Sequence, residues 1–291
     1  MMEVYDLIEE VTRHARGFVE LLTVLLKYRV LFRSSGLEFS GLREYCPGED
    51  DASRIEWKSS LRAQKIYIKL YEEEKDLDIV ILFDSSANML FGTQERTKEE
   101  YAAIIAATIS FAATEVGDNV GFAMFNEKLV ATLEPSKSSS QYFQILKSLC
   151  DKKNYGGKCN MVDALTTMIN TLRDRTALFI ISDFTNPGDI DEIVKMCAGK
   201  FNKVYGIMVR DPRDEFLPKG LGYITLSDPH TGQSVTVDAD QIREKFEREA
   251  LNQSKYIESL FIGGGAGFIK LFTNEPFSEP TIRYLKYIEG A

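Results

Sequence analysis

The sequence contains few of the residues on which common catalytic and metal sites depend. Among 291 residues there are two histidines, one tryptophan and four cysteines, Cys46, Cys150, Cys159 and Cys197. The cysteines form no C-x-x-C pair, which argues against a structural zinc site. Neither histidine has an evident acid or nucleophile beside it, and no G-x-S-x-G, Walker or H-E-x-x-H motif occurs. These absences argue against the commonest hydrolases, nucleotide-binding enzymes and zinc proteases.

The chain also lacks an excess of positive charge and a long uncharged apolar run. Its net charge of −9 argues against a nucleic-acid partner, because phosphate backbones attract basic surfaces. The most apolar early run, residues 18–32, is interrupted by Glu20, Lys27 and Arg29, so we expect no membrane span. The first residues do not resemble a signal peptide, and so few cysteines are typical of reduced thiols. We expect a soluble cytoplasmic protein, whose oligomeric state the sequence does not indicate.

From residue 78 onward, short buried strands alternate with helices. This alternation predicts a three-layer Rossmann-like α/β fold with a mostly parallel central sheet. The predicted strands are 78–83, 119–125, 128–135, 176–184, 203–210 and 265–273, and the predicted helices are 98–116, 141–150, 161–174, 189–199, 240–260 and 278–290.

Two further segments have patterns of their own. Residues 3–28 carry one apolar stripe at helical spacing, and a strand is predicted near 65–73. Two alternating stretches near 222–238 predict a β-hairpin inserted towards the C-terminal part. We therefore predict an N-terminal segment, residues 1–77, that packs on a main domain, residues 78–291.

Small polar residues follow two of the buried strands. Asp84, Ser86 and Asn88 come after the strand at 78–83, and Asp183 follows the apolar run LFIIS in the strand predicted at 176–184. Ligands bind outside the carboxyl ends of parallel strands, so these side chains are expected in one crevice. Their oxygens are of the kind that Mg²⁺ prefers. The alternative is a polar turn that caps the following helix.

This pattern resembles the metal-ion-dependent adhesion site of von Willebrand factor A domains. Asp84, Ser86 and Asp183 match that motif, Asn88 stands where the family has serine, and Cys159 stands where it has threonine. The resemblance implies a Mg²⁺ ion held by these five residues. A thiol is a soft ligand and a poor partner for Mg²⁺, so weak metal binding or none is the alternative.

A second motif, REYCPGEDDASRIEW at 43–57, resembles the signature of a prokaryotic family, domain of unknown function 58. The hairpin near 222–238 resembles that family too. The resemblance implies an adaptor or co-chaperone of MoxR-type AAA+ ATPases, which places partner contacts at Arg43, Tyr45, Arg54 and Trp57. The alternative is a surface loop in which Trp57 is a packing anchor.

We accordingly predict a non-enzymatic protein-interaction module. A partner, either a MoxR-like ATPase or its client, would bind at the strand-end site, where a partner carboxylate completes the coordination of the cation. One alternative is a metal-dependent, phosphatase-like hydrolase that uses the same crevice. Phosphatases of the haloacid type need a second aspartate where Ser86 stands, which argues against it. Another alternative is a structural subunit with an empty site.

Overall fold

In a computed structural model, the described residues are 2–12, 38–47, 50–51, 55–63, 65–72, 77–228 and 231–277. They form two compact units, one made of residues 2–12 with those from 77 onward and one made of those between 38 and 72. Most of the helix predicted at 3–28, all of the helix predicted at 278–290, and Arg54 lie outside the described residues. The division predicted after residue 77 stays a prediction.

The larger unit alternates strands and helices as predicted. In chain order the helices and strands of the described residues are α1 (residues 4–12), β1 (Glu38–Glu44), α2 (Trp57–Ala63), β2 (Tyr67–Glu72), β3 (Asp78–Asp84), α3 (Lys98–Val116), β4 (Asn119–Phe125), β5 (Leu129–Ser136), α4 (Ser139–Cys150), α5 (Met161–Thr171), β6 (Thr176–Ser182), α6 (Asp191–Lys200), β7 (Lys203–Arg210), α7 (Pro212–Glu215), β8 (Tyr223–Ser227), β9 (Ser234–Asp238), α8 (Ala239–Gly263) and β10 (Gly267–Phe272). Short 3-10 turns lie at Ala87–Leu90 and Lys152–Asn154.

The central sheet has six strands in the order β10-β7-β6-β3-β4-β5. All neighbouring pairs are parallel except β4 and β5, so β5 is an antiparallel edge strand. Strands β3 and β6 lie in the middle, and every one of their residues is buried. A parallel strand covered on both faces needs apolar side chains on both, which explains their unbroken apolar sequences.

Helices cover both faces of this sheet. Val80 and Leu82 of β3 point to the face on which α5, α6 and α8 pack. The alternate residues Ile79, Ile81 and Phe83 point to the opposite face, where α3 and α4 lie. The predicted three-layer fold with a mostly parallel sheet is confirmed. Among the described residues, none of the helices combines the length and apolar character needed to cross a membrane.

Helix α3 brings its first residue to the edge of the sheet where the site lies. Thr97 caps the helix through a capping box with Glu100, so the helix begins at Lys98. It ends at Gly117, whose φ of 83° suits glycine. Alanines along the helix let it lie close against the strands, and Lys98 is buried as a result.

Two smaller sheets complete the described structure. In the smaller unit, β1 and β2 pair antiparallel, with a bulge between Phe39 and Gly41. Strand β1 and helix α2 were not predicted, because their sequence is rich in charge and glycine. Strands β8 and β9 form the predicted hairpin, in which the hydroxyl groups of Thr225 and Thr236 lie 3.0 Å apart.

Candidate functional site at the carboxyl ends of the strands

Asp84 and Asp183 meet at one edge of the sheet. Strands β3 and β6 are parallel neighbours in which Phe83 lies beside Ile181, so their last residues end together. The Ser182 hydroxyl donates a hydrogen bond of 2.6 Å to Asp84 Oδ2, and both aspartates are completely buried. The structure therefore brings the two carboxylates together, as the parallel arrangement of the strands predicts.

Asp84 lies in surroundings that favour its neutral form. Burial raises the pKa of Asp84 to about 6, and the negative charge of Asp183 adds to the shift. Hydrogen bonds from the Ser182 hydroxyl and from the Ser86 backbone N–H, the latter 2.9 Å long, act in the opposite direction. Two hydrogen-bond donors thus hold the Asp84 carboxylate in place, but its burial leaves its pKa above the ordinary value.

Asp183 is neutralised from within the protein. Its Oδ2 lies 2.6 Å from the Nζ atom of Lys98, and its Oδ1 accepts a hydrogen bond of 2.8 Å from the Thr185 N–H. Burial by itself would raise the pKa of Asp183, but the charges of Lys98 and Arg210 outweigh it and hold the pKa below its ordinary value. Asp183 is therefore ionised, and both of its oxygens are engaged.

Lys98 is the site residue that sequence reasoning missed. Its Nζ also lies 3.0 Å from Asp214 Oδ2, on α7, and its side chain is 3% exposed. Burial lowers the pKa of Lys98, but Asp183 and Asp214 together raise it above the ordinary value. One signal was available: a cation at the first position of a helix opposes the helix dipole, so a lysine there needs another reason.

A loop that contains Gly156 and Gly157, between α4 and α5, contacts the turn after β3. The Gly156 N–H donates to the carbonyl of Ser85 at 2.9 Å, and the Ala87 N–H donates to the carbonyl of Gly157 at 3.0 Å. Both glycines have positive φ, 113° and 73°, which a side chain would resist. This loop places Cys159 beside the two aspartates. Burial, followed by the charges of Asp84 and Asp183, raises the pKa of the Cys159 thiol far above its ordinary value.

Ser86 and Asn88 occupy the turn after β3. The Ser86 hydroxyl is completely buried and has no hydrogen-bond partner among the described residues, although it lies near enough to Asp84 to lower the pKa of that carboxyl. Ser86 precedes the 3-10 turn at Ala87–Leu90 but makes no side-chain cap, so capping does not explain its hydroxyl. Asn88 is half-buried, and its backbone carbonyl accepts from the Phe91 N–H at 3.3 Å.

These residues fit a magnesium ion only in part. The Asp84 carboxylate and the unpartnered Ser86 hydroxyl are suitable donors. Asp183 already binds Lys98, and Cys159 is a protonated thiol. Within the part of the chain that the structure describes, no three His, Cys, Asp or Glu side chains form a group that could hold a metal. The complete set is not a suitable Mg²⁺ site, and the magnesium expectation stays a prediction.

Exposed apolar side chains lie at this edge, which the sequence did not indicate. Leu90 and Phe91 are 40% and 45% exposed in the loop before α3, and Phe216 is 42% exposed after α7. Thr93, in that loop, ties it to the end of β7, because its N–H and hydroxyl donate to Asp211 at 2.7 and 2.6 Å. We call Leu90, Phe91 and Phe216 the apolar rim.

The predicted partner-binding residues lie in the smaller unit. Arg43 forms an ion pair with Asp50, and Tyr45 is half-buried. Trp57 begins helix α2, and 63% of its surface is exposed. Arg54 lies outside the described residues. Partner binding by these residues stays a prediction.

Replacing Asp84 with asparagine is expected to remove a pH dependence of the protein's stability. The Asp84 carboxyl has a pKa of about 6 in the folded protein, against an ordinary value of 3.8. The folded state thus binds this proton more tightly than the unfolded state does. Wild-type stability should therefore fall as pH rises from about 4 to 7, by up to about 3 kcal/mol.

The comparison of the two proteins isolates this group. The Asp84→Asn variant cannot ionise, so we expect it to gain on the wild type as pH rises, in urea unfolding measured at several pH values. The contribution of Asp183, whose depressed pKa acts with opposite sign at lower pH, is present in both proteins. Glu258→Gln, at an exposed position, is the control. An Asp84→Asn profile parallel to the wild type would contradict the prediction.

Two uncharacterized mycobacterial proteins are similar to most of the chain. Uncharacterized protein Rv1480 of Mycobacterium tuberculosis and uncharacterized protein Mb1516 of Mycobacterium bovis are each 26% identical to it over 259 residues, which cover 88% of this chain and 80% of theirs. Neither name specifies an activity.

Three solved structures with low sequence identity resemble the fold. The hypothetical protein BatB of Bacteroides thetaiotaomicron is 17% identical, with 74% of this chain and 100% of that chain covered and a TM-score of 0.46. An aerotolerance-related membrane protein of Bacteroides fragilis is 16% identical with the same coverage and a TM-score of 0.44. The SpRpn10 von Willebrand factor A domain is 9% identical, with 73% and 95% covered and a TM-score of 0.42.

A family model covers most of the chain. It matches residues 41–256, which include both the signature at 43–57 and the strand-end aspartates. The family resemblance seen in the sequence is thereby confirmed. The chain belongs to the family described as "Protein of unknown function DUF58".

Proposed function

We propose that this protein is a non-enzymatic interaction module that binds a partner protein at the carboxyl-end edge of its central sheet. The observation that carries the proposal is the exposure of Leu90, Phe91 and Phe216 near the ion pairs of Lys98. The Phe91 ring centre lies 5.6 Å from Lys98 Nζ, and Phe216 directly follows α7, whose Asp214 binds Lys98. Exposed apolar side chains that lie together on a rigid support are typical of protein interfaces.

The ion pairs and hydrogen bonds near the apolar rim make this edge rigid before a partner arrives. Asp211 binds Thr93 of the loop and also caps α7, where it accepts from the Arg213 N–H at 2.8 Å. Lys98 joins the start of α3 to both β6 and α7, and its Nζ lies 5.6 Å from the centre of the Phe91 ring. A surface that is ordered in advance loses less conformational entropy on binding.

Burial of the carboxylates favours binding over hydrolysis. A hydrolase that used Asp84 would need its carboxylate to reach a substrate or a metal-bound water. Asp84, Ser86 and Asp183 are all completely buried beneath their loops. A phosphatase screen with Mg²⁺ tests this point: turnover that disappears in the Asp84→Asn variant would overturn the binding proposal.

The proposed partner is a MoxR-type AAA+ ATPase, for which this protein would act as an adaptor or co-chaperone. The support for this partner is the family resemblance of the signature at 43–57. In this proposal the exposed Trp57 of α2, together with Arg43, Tyr45 and Arg54, provides a second contact region. Both regions belong to the same family match.

Replacing Phe91 with serine is expected to weaken partner binding at least about tenfold, since a buried apolar anchor contributes about 1.5–3 kcal/mol. The measurement is the Kd for a purified MoxR-type ATPase from the same genome, obtained by biolayer interferometry with and without EDTA. Because Phe91 is already 45% exposed, the fold should tolerate the change, and circular dichroism would verify this.

Phe143→Ser provides a matched control. Phe143 is also exposed, at 61%, but lies on α4 and not on the apolar rim. It should bind the ATPase as the wild type does. Equal loss of affinity in both variants, or no loss in either, would argue against this edge as the docking surface.

A further inference from the structure

Lys98 stands where neither the helix nor the solvent favours a lysine. It is the first residue of α3, where the helix dipole disfavours a positive charge, and its side chain is 3% exposed. An unpaired ammonium group at such a depth would cost many kcal/mol. Its presence therefore depends on the anionic groups that surround it.

Those groups are the carboxylates of Asp183, which follows β6, and Asp214, which lies on α7. The Lys98 Nζ lies 2.6 Å from Asp183 Oδ2 and 3.0 Å from Asp214 Oδ2, so one ammonium group bridges the end of β6 and helix α7. These are the distances of charge-assisted hydrogen bonds. A lysine in this position fills the place beside Asp183 that a bound cation would otherwise take.

A second internal cation lies on the other side of Asp183. Arg210, at the end of β7, is buried, and its charge contributes to the depressed pKa of Asp183. Its guanidinium donates to Thr185 Oγ1 at 3.1 Å and to Gln253 Oε1 at 2.6 Å. Lys98 and Arg210 thus provide two fixed positive charges that act on Asp183.

We propose that the ammonium group of Lys98 is the resident cation of this site and that it replaces a divalent metal ion. The remaining donors agree with this assignment. Both oxygens of Asp183 are already engaged, Oδ2 by the Lys98 ammonium group and Oδ1 by the Thr185 N–H, so neither is free to bind a metal ion. Cys159 supplies a soft sulfur atom in place of an oxygen ligand, which suits Mg²⁺ poorly. The site is therefore independent of metal, whether or not it binds a partner.

The first test compares thermal unfolding and calorimetric titration of the wild-type protein with Mg²⁺ and Mn²⁺. We expect equal melting temperatures in EDTA and in about 5 mM Mg²⁺, because an ion that does not bind the folded state cannot stabilise it. A melting temperature that falls in EDTA, or a Kd for Mg²⁺ in the micromolar range, would overturn the proposal.

The second test removes the ammonium group. In Lys98→Met, the freed carboxylates should acquire affinity for the metal, so we expect Mg²⁺ to bind at least about tenfold more tightly than to the wild type and to raise the lowered melting temperature. Lys195→Met, in which an exposed lysine paired with Asp191 is lost, is the matched control and should not gain Mg²⁺ binding. A Lys98→Met protein without such a gain would overturn the proposal.

A double variant covers the case in which Lys98→Met does not fold. Lys98→Met with Asp214→Asn keeps Asp84 and Asp183 for the metal but leaves one fewer unpaired carboxylate in the interior. It should fold and bind Mg²⁺, and absence of binding would count against the proposal. Metal titration needs no partner, so its outcome stays distinct from that of the ATPase-binding experiment.

Discussion

Replacement of Phe261 with alanine is expected to lower the free energy of unfolding by about 3–5 kcal/mol. Phe261 lies on α8 and is completely buried. Its ring packs edge-to-face on Phe184, with centroids 5.4 Å apart, and against Phe268 of β10 at 5.4 Å. The ring also fills the space above Gly206 of β7, where an added Cβ would come within 2.7 Å of it. Alanine would leave a cavity between these two rings and Gly206.

This cavity would lie next to Phe184, the residue that follows Asp183 of the candidate site. Phe184 follows Asp183 and has a φ of 51°, which a non-glycine residue adopts only when its surroundings hold it there. We therefore expect Phe261→Ala to weaken partner binding as well as stability. Urea unfolding provides the measurement. The adjacent Ile262→Ala, at a residue 57% exposed, is the control and should cost less than about 0.5 kcal/mol. Equal losses in both variants would contradict the packing argument.

The second large effect is expected from Lys270→Met, at about 3 kcal/mol, because it leaves a buried carboxylate without its counter-charge. Glu215, at the end of α7, is completely buried, and its two oxygens lie 3.0 and 2.8 Å from the Nζ atom of Lys270. The Ser254 hydroxyl also donates to Glu215. The ion pair joins α7 to β10, and the hydrogen bond from Ser254 joins α7 to α8. Together they hold the helix that carries Asp214 in place.

Two comparisons separate charge from packing in this case. Lys245→Met removes an exposed lysine 3.9 Å from Glu249 and should change stability by less than about 0.5 kcal/mol. Adding Glu215→Gln to Lys270→Met removes the stranded charge, so the double variant should be more stable than the single variant in denaturant unfolding. A double variant that is less stable would show that the carboxylate is not the source of the loss.

Both substitutions change contacts that hold the elements of the candidate site in place. The strand ends pack near the aromatic rings of Phe184, Phe261 and Phe268, and the ion pairs of Lys98 and Lys270 hold the neighbouring elements in place. The apolar rim, in contrast, is exposed. This arrangement agrees with the proposed role in binding a partner protein, because the charged groups hold the loops in place. If Lys98 replaces a metal ion as proposed, the charge that holds these loops in place is supplied by the polypeptide itself.

Much of the fold followed from local sequence. Strands β3 and β6 were predicted because a parallel strand covered on both faces requires an unbroken apolar run. The hairpin of β8 and β9 was predicted from alternation around a turn. Strand β1 and the short helices α2 and α7 were missed, because their charged sequences have no clear period and their existence depends on neighbouring elements.

The candidate site, like the fold, was predicted from the sequence only in part. The sequence by itself determined that Asp84 and Asp183 each end a buried strand, and a shared edge was predicted because parallel strands end at the same edge of a sheet. The strand order of the folded sheet made β3 and β6 neighbours. Only the tertiary structure decided what neutralises them. Lys98 is 85 residues from Asp183 along the chain, and no local pattern relates the two. They meet because α3 packs across the sheet with its first turn at the strand ends, and the burial produced by that packing makes the ion pair obligatory.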